Sequence, residues 1–306
     1  MFAAAFIACL TACGGSSTTP PPPGPPAGTQ HLYTGGGAGI AFQFALPVTG
    51  TVPTATLTTS TTNIVSAVAV DSAGNVAVGD VAGNITIFNG PITNSASASA
   101  TFKNGTATTV GPLAFNSAGD LFAATNGNKI NVFTHPLTSA STPSQVITNV
   151  NLTTASGVVL DSNNNLIVCN LPGVPSSNLL VFAPPYTGLP VATVTIPADH
   201  YFQMAISTTQ LFVVQSTPSL SWVDVYNLPI TAGSTPAFSI RNGLFGGSVT
   251  ANAVALDSSG NLYVSISGNL GTTDSGGVRV YVPPFSAAST PGVTTGVGAS
   301  GVAVGK

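Results

Sequence analysis

Glutamate is absent from this chain: all eight acidic residues are Asp, set against three Lys and two Arg. Exposed helix faces are ordinarily built from Glu, Lys, Arg and Gln, which lose little rotamer freedom there. A sequence that is 4% charged has almost nothing to build one from. Five basic residues also exclude a protein that tracks a phosphate backbone, since that affinity depends on many Lys and Arg contacts. Cysteine is scarce. Of three, Cys9 and Cys13 lie at an N-terminal apolar segment and Cys169 in the apolar run 166–169, so the body of the chain holds a single cysteine and no pair for a disulfide. Cys169 reads as a small buried hydrophobe, since nothing nearby in sequence would activate a thiol. A Gly-x-Ser-x-Gly elbow, a CxxC pair, a His-Glu-x-x-His helix and a phosphate loop are all missing. So is any close pair of acids of the kind that share proton transfer. What remains is 43% hydrophobic with 34 Gly and 24 Pro, the composition of a single large all-β domain.

The first 29 residues read as an address and a tether. Residues 2–12 are apolar except for Thr11, which suits a signal-peptide core and falls short of the ~20 residues of a membrane-spanning helix. The run closes on Leu10-Thr11-Ala12-Cys13-Gly14, which resembles the lipobox of bacterial lipoproteins. No Lys or Arg precedes it. The resemblance implies a signal peptide at 1–12, lipid attachment at Cys13 and export to the cell envelope. Gly14 stands where that family places Asp for inner-membrane retention, which implies the outer membrane or the cell surface. Residues 14–28 read GGSSTTPPPPGPPAG. Gly, Ser and Thr give slack and the prolines favour an extended form, so 13–29 can hold a domain some ~40 Å from a membrane. With no basic residue to orient a proline-binding partner, tether is the better reading.

Internal repetition is the strongest signal in the remainder, 30–306. An aromatic residue, Pro three positions later, an apolar or aromatic residue and then Thr or Ser recur six times. The aromatic–Pro pairs are Phe44/Pro47, Phe88/Pro91, Phe133/Pro136, Phe182/Pro185, Tyr226/Pro229 and Tyr281/Pro284, with aromatic spacings of 44, 45, 49, 44 and 55. Upstream of five of them lies a short apolar run, a turn and a second apolar run. The turns are Asp71 to Asn75, Asn116 to Asp120, Asp161 to Asn165, Ser207 to Gln210 and Asp257 to Asn261. Asp or Asn opens such a turn by bonding its own backbone, and Gly or Asn supplies a positive φ. Each repeat therefore reads as a tight hairpin, a third strand ended by Pro, and a weak fourth strand.

Four strands in about 45 residues make a propeller blade, and six repeats predict an all-β, six-bladed β-propeller of four-stranded blades. The ends predict its closure. Residues 302–304 match the first strand of a blade, and residues 30–33 match a second strand, so one blade is assembled from both ends in a velcro closure that removes open edges. Strands of about five residues are too short for a membrane barrel, and the period is too long for a horseshoe solenoid.

The phrase Val254-Ala-Leu-Asp257-Ser-Ser-Gly260-Asn261-Leu-Tyr-Val is similar to NHL-repeat propellers and the related gluconolactonase type over roughly 31–306. Propellers of that kind include metal-dependent lactonases, lyases and binding scaffolds, and fold alone does not choose among them. The lactonases carry a central divalent metal on Glu, Asn and Asp. With no Glu here, the usual first ligand has no counterpart, and Asp71, Asp120, Asp161 and Asp257 are committed to turns. No metal or other cofactor is therefore expected, and the reading leans to a non-catalytic, membrane-tethered binding or scaffold module. An atypical metal-dependent lactonase or lyase is the alternative. One blade differs from the rest. Phe202 falls where the others place Ser66, Gly111, Ser156 and Asn252, so a bulky, polar cluster begins its first strand. His200, Tyr201 and Gln203, with Asn252 of the next blade, are the candidate ligand-binding residues at the channel mouth. The expected partners are an unidentified protein or small molecule there and a membrane through the lipid anchor only. No nucleic acid is expected, and the chain is expected to be monomeric.

Overall fold

In the computed structural model, the described residues are 29–306 apart from 38, 49–50, 94–95, 126, 174–175, 197–202, 218–219, 245–248, 269–276 and 296–300. They form six four-stranded antiparallel sheets, the blades of a β-propeller, here numbered I to VI in chain order of their aromatic motifs. In blades II to VI the strands follow one another from the channel outward. Their innermost strands are Val65–Val70, Val110–Phe115, Ala155–Leu160, Met204–Ile206 and Val249–Leu256.

Blade I is built from both ends of the chain. Its second strand, His31–Gly35, lies between Ile40–Ala45 and the last strand, Val302–Gly305. The closing register pairs Leu32 with Val304 and Thr34 with Val302. Three further bonds secure the closure. Gly35 N donates to Gly301 O at 3.1 Å, Tyr33 Oη to Lys306 O at 3.2 Å and Ser258 N of blade VI to Gln30 Oε1 at 2.8 Å. Burial pushes the Tyr33 phenol up to about 12, against a smaller opposing pull from Gln43. At Gly305 an added Cβ would lie 2.2 Å from Val70 Cγ1, so the last strand approaches blade II closely enough to require glycine.

The core is not one mass but six slabs, each filling the space between neighbouring blades. All six motif aromatics are buried, and each enters a different slab: Phe88 between I and II, Phe133 between II and III, Phe182 between III and IV, Tyr226 between IV and V, Tyr281 between V and VI, and Phe44 between VI and I. That explains the one-aromatic-per-repeat rule. Removing such a ring costs about 3–5 kcal/mol in a typical core. The motif prolines follow the third strands, where a missing N–H does no harm, and all six X–Pro bonds are cis. The Thr or Ser two positions later opens a short turn. Thr138 N, Thr231 N and Ser286 N donate to Ser141, Ser234 and Ser289 Oγ respectively.

Candidate functional site: the central channel

The hairpin turns consume the acids that open or close them. Asp71 Oδ1 accepts from Ala73 N and Asn75 N at 2.9 and 2.8 Å, and its Oδ2 accepts from Asn75 Nδ2 at 2.7 Å. Asp161 and Asp257 repeat the pattern with Asn165 and Asn261. Blade III exchanges the roles: Asn116 opens the turn and donates to Asp120 Oδ2, while Asp120 Oδ1 holds His135 N. On the opposite face Asp80 accepts five hydrogen bonds, from Ala82 N, Asn84 N, Asn84 Nδ2, Thr61 Oγ1 and Asn63 Nδ2. Burial pushes its carboxyl up, but these donors together outweigh that and hold it below the ordinary carboxylate range. Asp224, the sixth acid among the described residues, accepts from Ser239 Oγ at 2.5 Å. Burial raises its carboxyl, while Ser239, Trp222 and the charge of Arg241 pull the other way. Among the described residues no group of three or more His, Cys, Asp or Glu is placed to hold a metal ion.

Cys169 is fully buried between blades IV and V, and burial pushes its thiol up to about 12 against a smaller pull from Ser156. A thiol so placed is not a nucleophile at neutral pH. His135 is fixed through its backbone, and His31 pairs in the closing blade. Neither faces the channel lining.

The innermost strands surround a channel of about 240 Å³. Its lining side chains are Val, Ala, Leu, Ile, Met, Phe and Pro, together with Gln203. Gln203 precedes the short strand Met204–Ile206 on the face where the blade-to-blade connectors lie. Its carboxamide reaches toward blade I: an added Cβ on Gly301 would sit 3.8 Å from Gln203 Nε2 and 3.9 Å from Ala67 Cα. Its carbonyl receives Val214 N at 3.2 Å, which fixes its backbone to the second strand of the blade.

Of the residues singled out by sequence, then, Gln203 lines the channel. Asn252 does not contribute to the lining, which begins two residues further on in that strand, at Val254. Asn252 is the extra residue of a β-bulge between Ala251 and Ala253. Ser66 and Ser156 occupy matching bulges, where their hydroxyls donate to Val110 O and Cys169 O. The small or polar residues that align with Phe202 thus mark a shared bulge. His200, Tyr201 and Cys13 lie outside the described residues.

Sequence reasoning missed a feature at the other end of the channel. The last residue of each inner strand, just before its hairpin turn, is large and apolar: Val70, Phe115, Leu160, Ile206 and Leu256, with Val304 at the matching place in the closing strand. Each is half-buried and packs against a different blade-to-blade slab. Together they form an apolar collar around the turn-face mouth. The signal was in the repeat itself, where such a residue precedes every turn opener.

No family model matches this chain, and no characterised protein resembles it in sequence at a significant level. Solved structures do share its fold. A chain of a nidogen/laminin complex is 14% identical with a TM-score of 0.64, the match covering 90% of this chain and 98% of that one. A protein of unknown function from Bacteroides caccae is 10% identical with a TM-score of 0.64, over 91% and 99% of the two chains. U3-55K is 13% identical with a TM-score of 0.58, over 89% and 81%. At these identities the likeness concerns architecture alone.

Proposed function

We propose that this chain is an exported β-propeller of the NHL-like type, held at the cell envelope by a lipid on Cys13 and the tether 13–29, that serves as a non-catalytic binding or scaffold module. One observation carries the reading: the described channel wall has no charged side chain, and every described acid already accepts hydrogen bonds within the fold. General acid–base or metal chemistry needs ionisable groups with free valences aimed at a shared point. A rigid ring with a single carboxamide in its channel suits binding instead.

Two measurements test the reading. For the tether, Cys13→Ala should release the protein from the membrane fraction into the soluble envelope fraction. Retention of that variant on membranes would remove the lipid anchor. For the absence of catalysis, protein purified without dialysis should contain no stoichiometric divalent metal and should not hydrolyse a panel of lactones above background. One tightly bound ion per chain, with turnover abolished by a chelator, would replace the binding module with a hydrolase.

A further inference from the structure

We infer that the outer strand of blade IV, Ala192–Ile196, is a docking edge for a second copy of this chain, the two strands pairing antiparallel about a two-fold axis at Val194. The inference is independent of the binding-module reading and concerns a different surface. An outer strand carries one unpaired edge, and native sheets blunt such edges with short strands, charge, proline or a covering loop. The six outer strands differ in these respects. Ala192–Ile196 has five residues, while the others have three or four. No charged residue occurs between Asp161 and Asp199.

Cover is present on the two preceding blades and missing here. In blade II the edge amide of Thr101 donates to Ser139 Oγ of blade III at 3.4 Å. In blade III, Gln145 Nε2 and Asn149 Nδ2 donate to Pro185 O and Gly188 O of blade IV at 2.7 and 3.0 Å, which clamps a loop across that strand. Counted from the motif aromatics and the strand registers, Ala232 of blade V stands in the place of Ser139, and Ala192 and Ile196 in the places of Gln145 and Asn149. None of the three has a polar side chain. The free groups are those of Thr193 and Thr195. Val191 N donates to Val181 O at 2.7 Å beside the pair Val181–Ala192. That bulge turns the backbone of Ala192 and Val194 toward the third strand, and that of Thr193 and Thr195 away from it. The same bulge at Ser99 turns Thr101 outward in blade II. Both threonines are exposed, and no hydrogen bond from outside the ladder reaches either one.

The edge selects its occupant. An N–H and a C=O on each threonine, spaced along an extended backbone, are satisfied by another strand. A second copy supplies one in register. Pairing about Val194 sets Thr193 opposite Thr195 of the second copy, and the reverse. Each opposed pair then exchanges both backbone bonds and places threonine against threonine, a favourable cross-strand pair. With no charge on the edge, the copies meet without the like-charge repulsion that ordinarily guards one. Pro190 and Pro197 bracket the strand and confine pairing to it, and the two-fold contact closes at a dimer. Leu189 and Val191, 69% and 66% exposed, flank the edge and add apolar surface. The interface is small, so association is weak, with a dissociation constant on the order of 100 µM, and the dilute chain stays monomeric.

The test uses the intact chain in detergent. Sedimentation over a range of concentrations should show a monomer passing to a dimer. Thr193→Pro removes an outward N–H from each copy and leaves the ladder intact, since proline is tolerated at such an edge position. Thr195→Lys sets like charges close together across the axis. Each should weaken association by about tenfold or more. A melting curve identifies a variant that misfolds, and the other then decides. Register is read from cysteines. Opposed residues of this kind lie about 5.5 Å apart at Cα, within reach of a disulfide. Mixing the Thr193→Cys chain with the Thr195→Cys chain should therefore give a disulfide between positions 193 and 195, located by peptide mass, and neither variant alone should give one at its own position. Association unchanged in a folded Thr193→Pro or Thr195→Lys chain overturns the inference, as does cross-linking that is equally strong within a single cysteine variant. A monomer at every concentration also overturns it and leaves the edge to an extended strand of a different protein.

Discussion

Deleting residues 302–306 is expected to lower the thermal midpoint by about 10 °C or more. The segment supplies the inner strand of blade I, with Val302 buried and Val304 half-buried in the slab against blade VI. Its removal takes away the pairing with His31–Gly35 and the Tyr33–Lys306 bond. Full burial of a Val is worth about 1.5–3 kcal/mol, and each lost net hydrogen bond about 1 kcal/mol. The combined loss is on the order of 5 kcal/mol, a large share of the 5–15 kcal/mol that holds a typical domain. The neighbouring strand would also present Leu32, Tyr33 and Thr34 on an open edge. A melting curve compares the two chains directly. An unchanged midpoint would mean that the ring does not depend on end-to-end closure.

The second large effect is expected at Asp80, which is 3% exposed. Thr61 and Asn63 belong to the connector from blade I, while Ala82 lies in the turn after the second strand of blade II and Asn84 begins its third strand. One carboxylate therefore fastens two blades, and everything around it donates. Asp80→Ala should cost about 3 kcal/mol, by stranding several buried donors at once. Asp80→Asn should cost less, about 1–2 kcal/mol, because it keeps one acceptor and turns an N–H₂ group toward donors. The sign with pH follows from the depressed carboxyl. The contribution is complete above the unfolded value near 3.9 and is lost as pH falls through the lower folded value. Urea melts between acid and neutral pH should show that loss in the native chain and not in Asp80→Asn.

Blade IV supplies the control. Asn170, fully buried, occupies the matching place, and its Oδ1 accepts from Thr153 N, Thr153 Oγ1 and Thr154 N. Its amide donates to Asn151 O and Asn178 Oδ1. Asn170→Asp would set a carboxylate oxygen against those two acceptors, so it should destabilise by roughly 2–4 kcal/mol although it restores the residue found in blade II. A neutral result at either site would show that these networks tolerate exchange of the amide and the acid.

The ring was legible in the sequence because its physics repeats. Phe88, Phe133 and their counterparts each anchor one slab, and Asp71, Asp161 and Asp257 each open one turn, so six weak local signals reinforce a single period. The closing strand was legible for the same reason, since residues 302–304 repeat the phrase that precedes Asp257. The channel wall was not. Counting from the turn openers aligns Phe202 with Asn252, but four inner strands carry bulges at or beside that position. A one-residue shift exchanges the faces of everything above it, and no periodicity reveals where the extra residue sits. Asn252 therefore falls in a bulge while Gln203, one residue past the aligned position, lines the channel. The collar escaped for the opposite reason: Leu256 and its equivalents look like ordinary core, and only their place at the ring's axis distinguishes them.

Assembly of blade I from both ends sets an order of events during synthesis. His31–Gly35 leaves the ribosome early, yet its inner partner begins at Val302, about 270 residues later. At ~5–20 residues per second the gap is roughly 15–50 s. Five blades are made from contiguous stretches, but this strand waits with one flank unoccupied. In that interval another copy's terminal strand offers the same register, Leu32 with Val304 and Thr34 with Val302, as the chain's own. Ring closure is then a contest between an intramolecular partner not yet made and an intermolecular one already present, so crowded synthesis favours strand-exchanged dimers and dilute synthesis favours monomers.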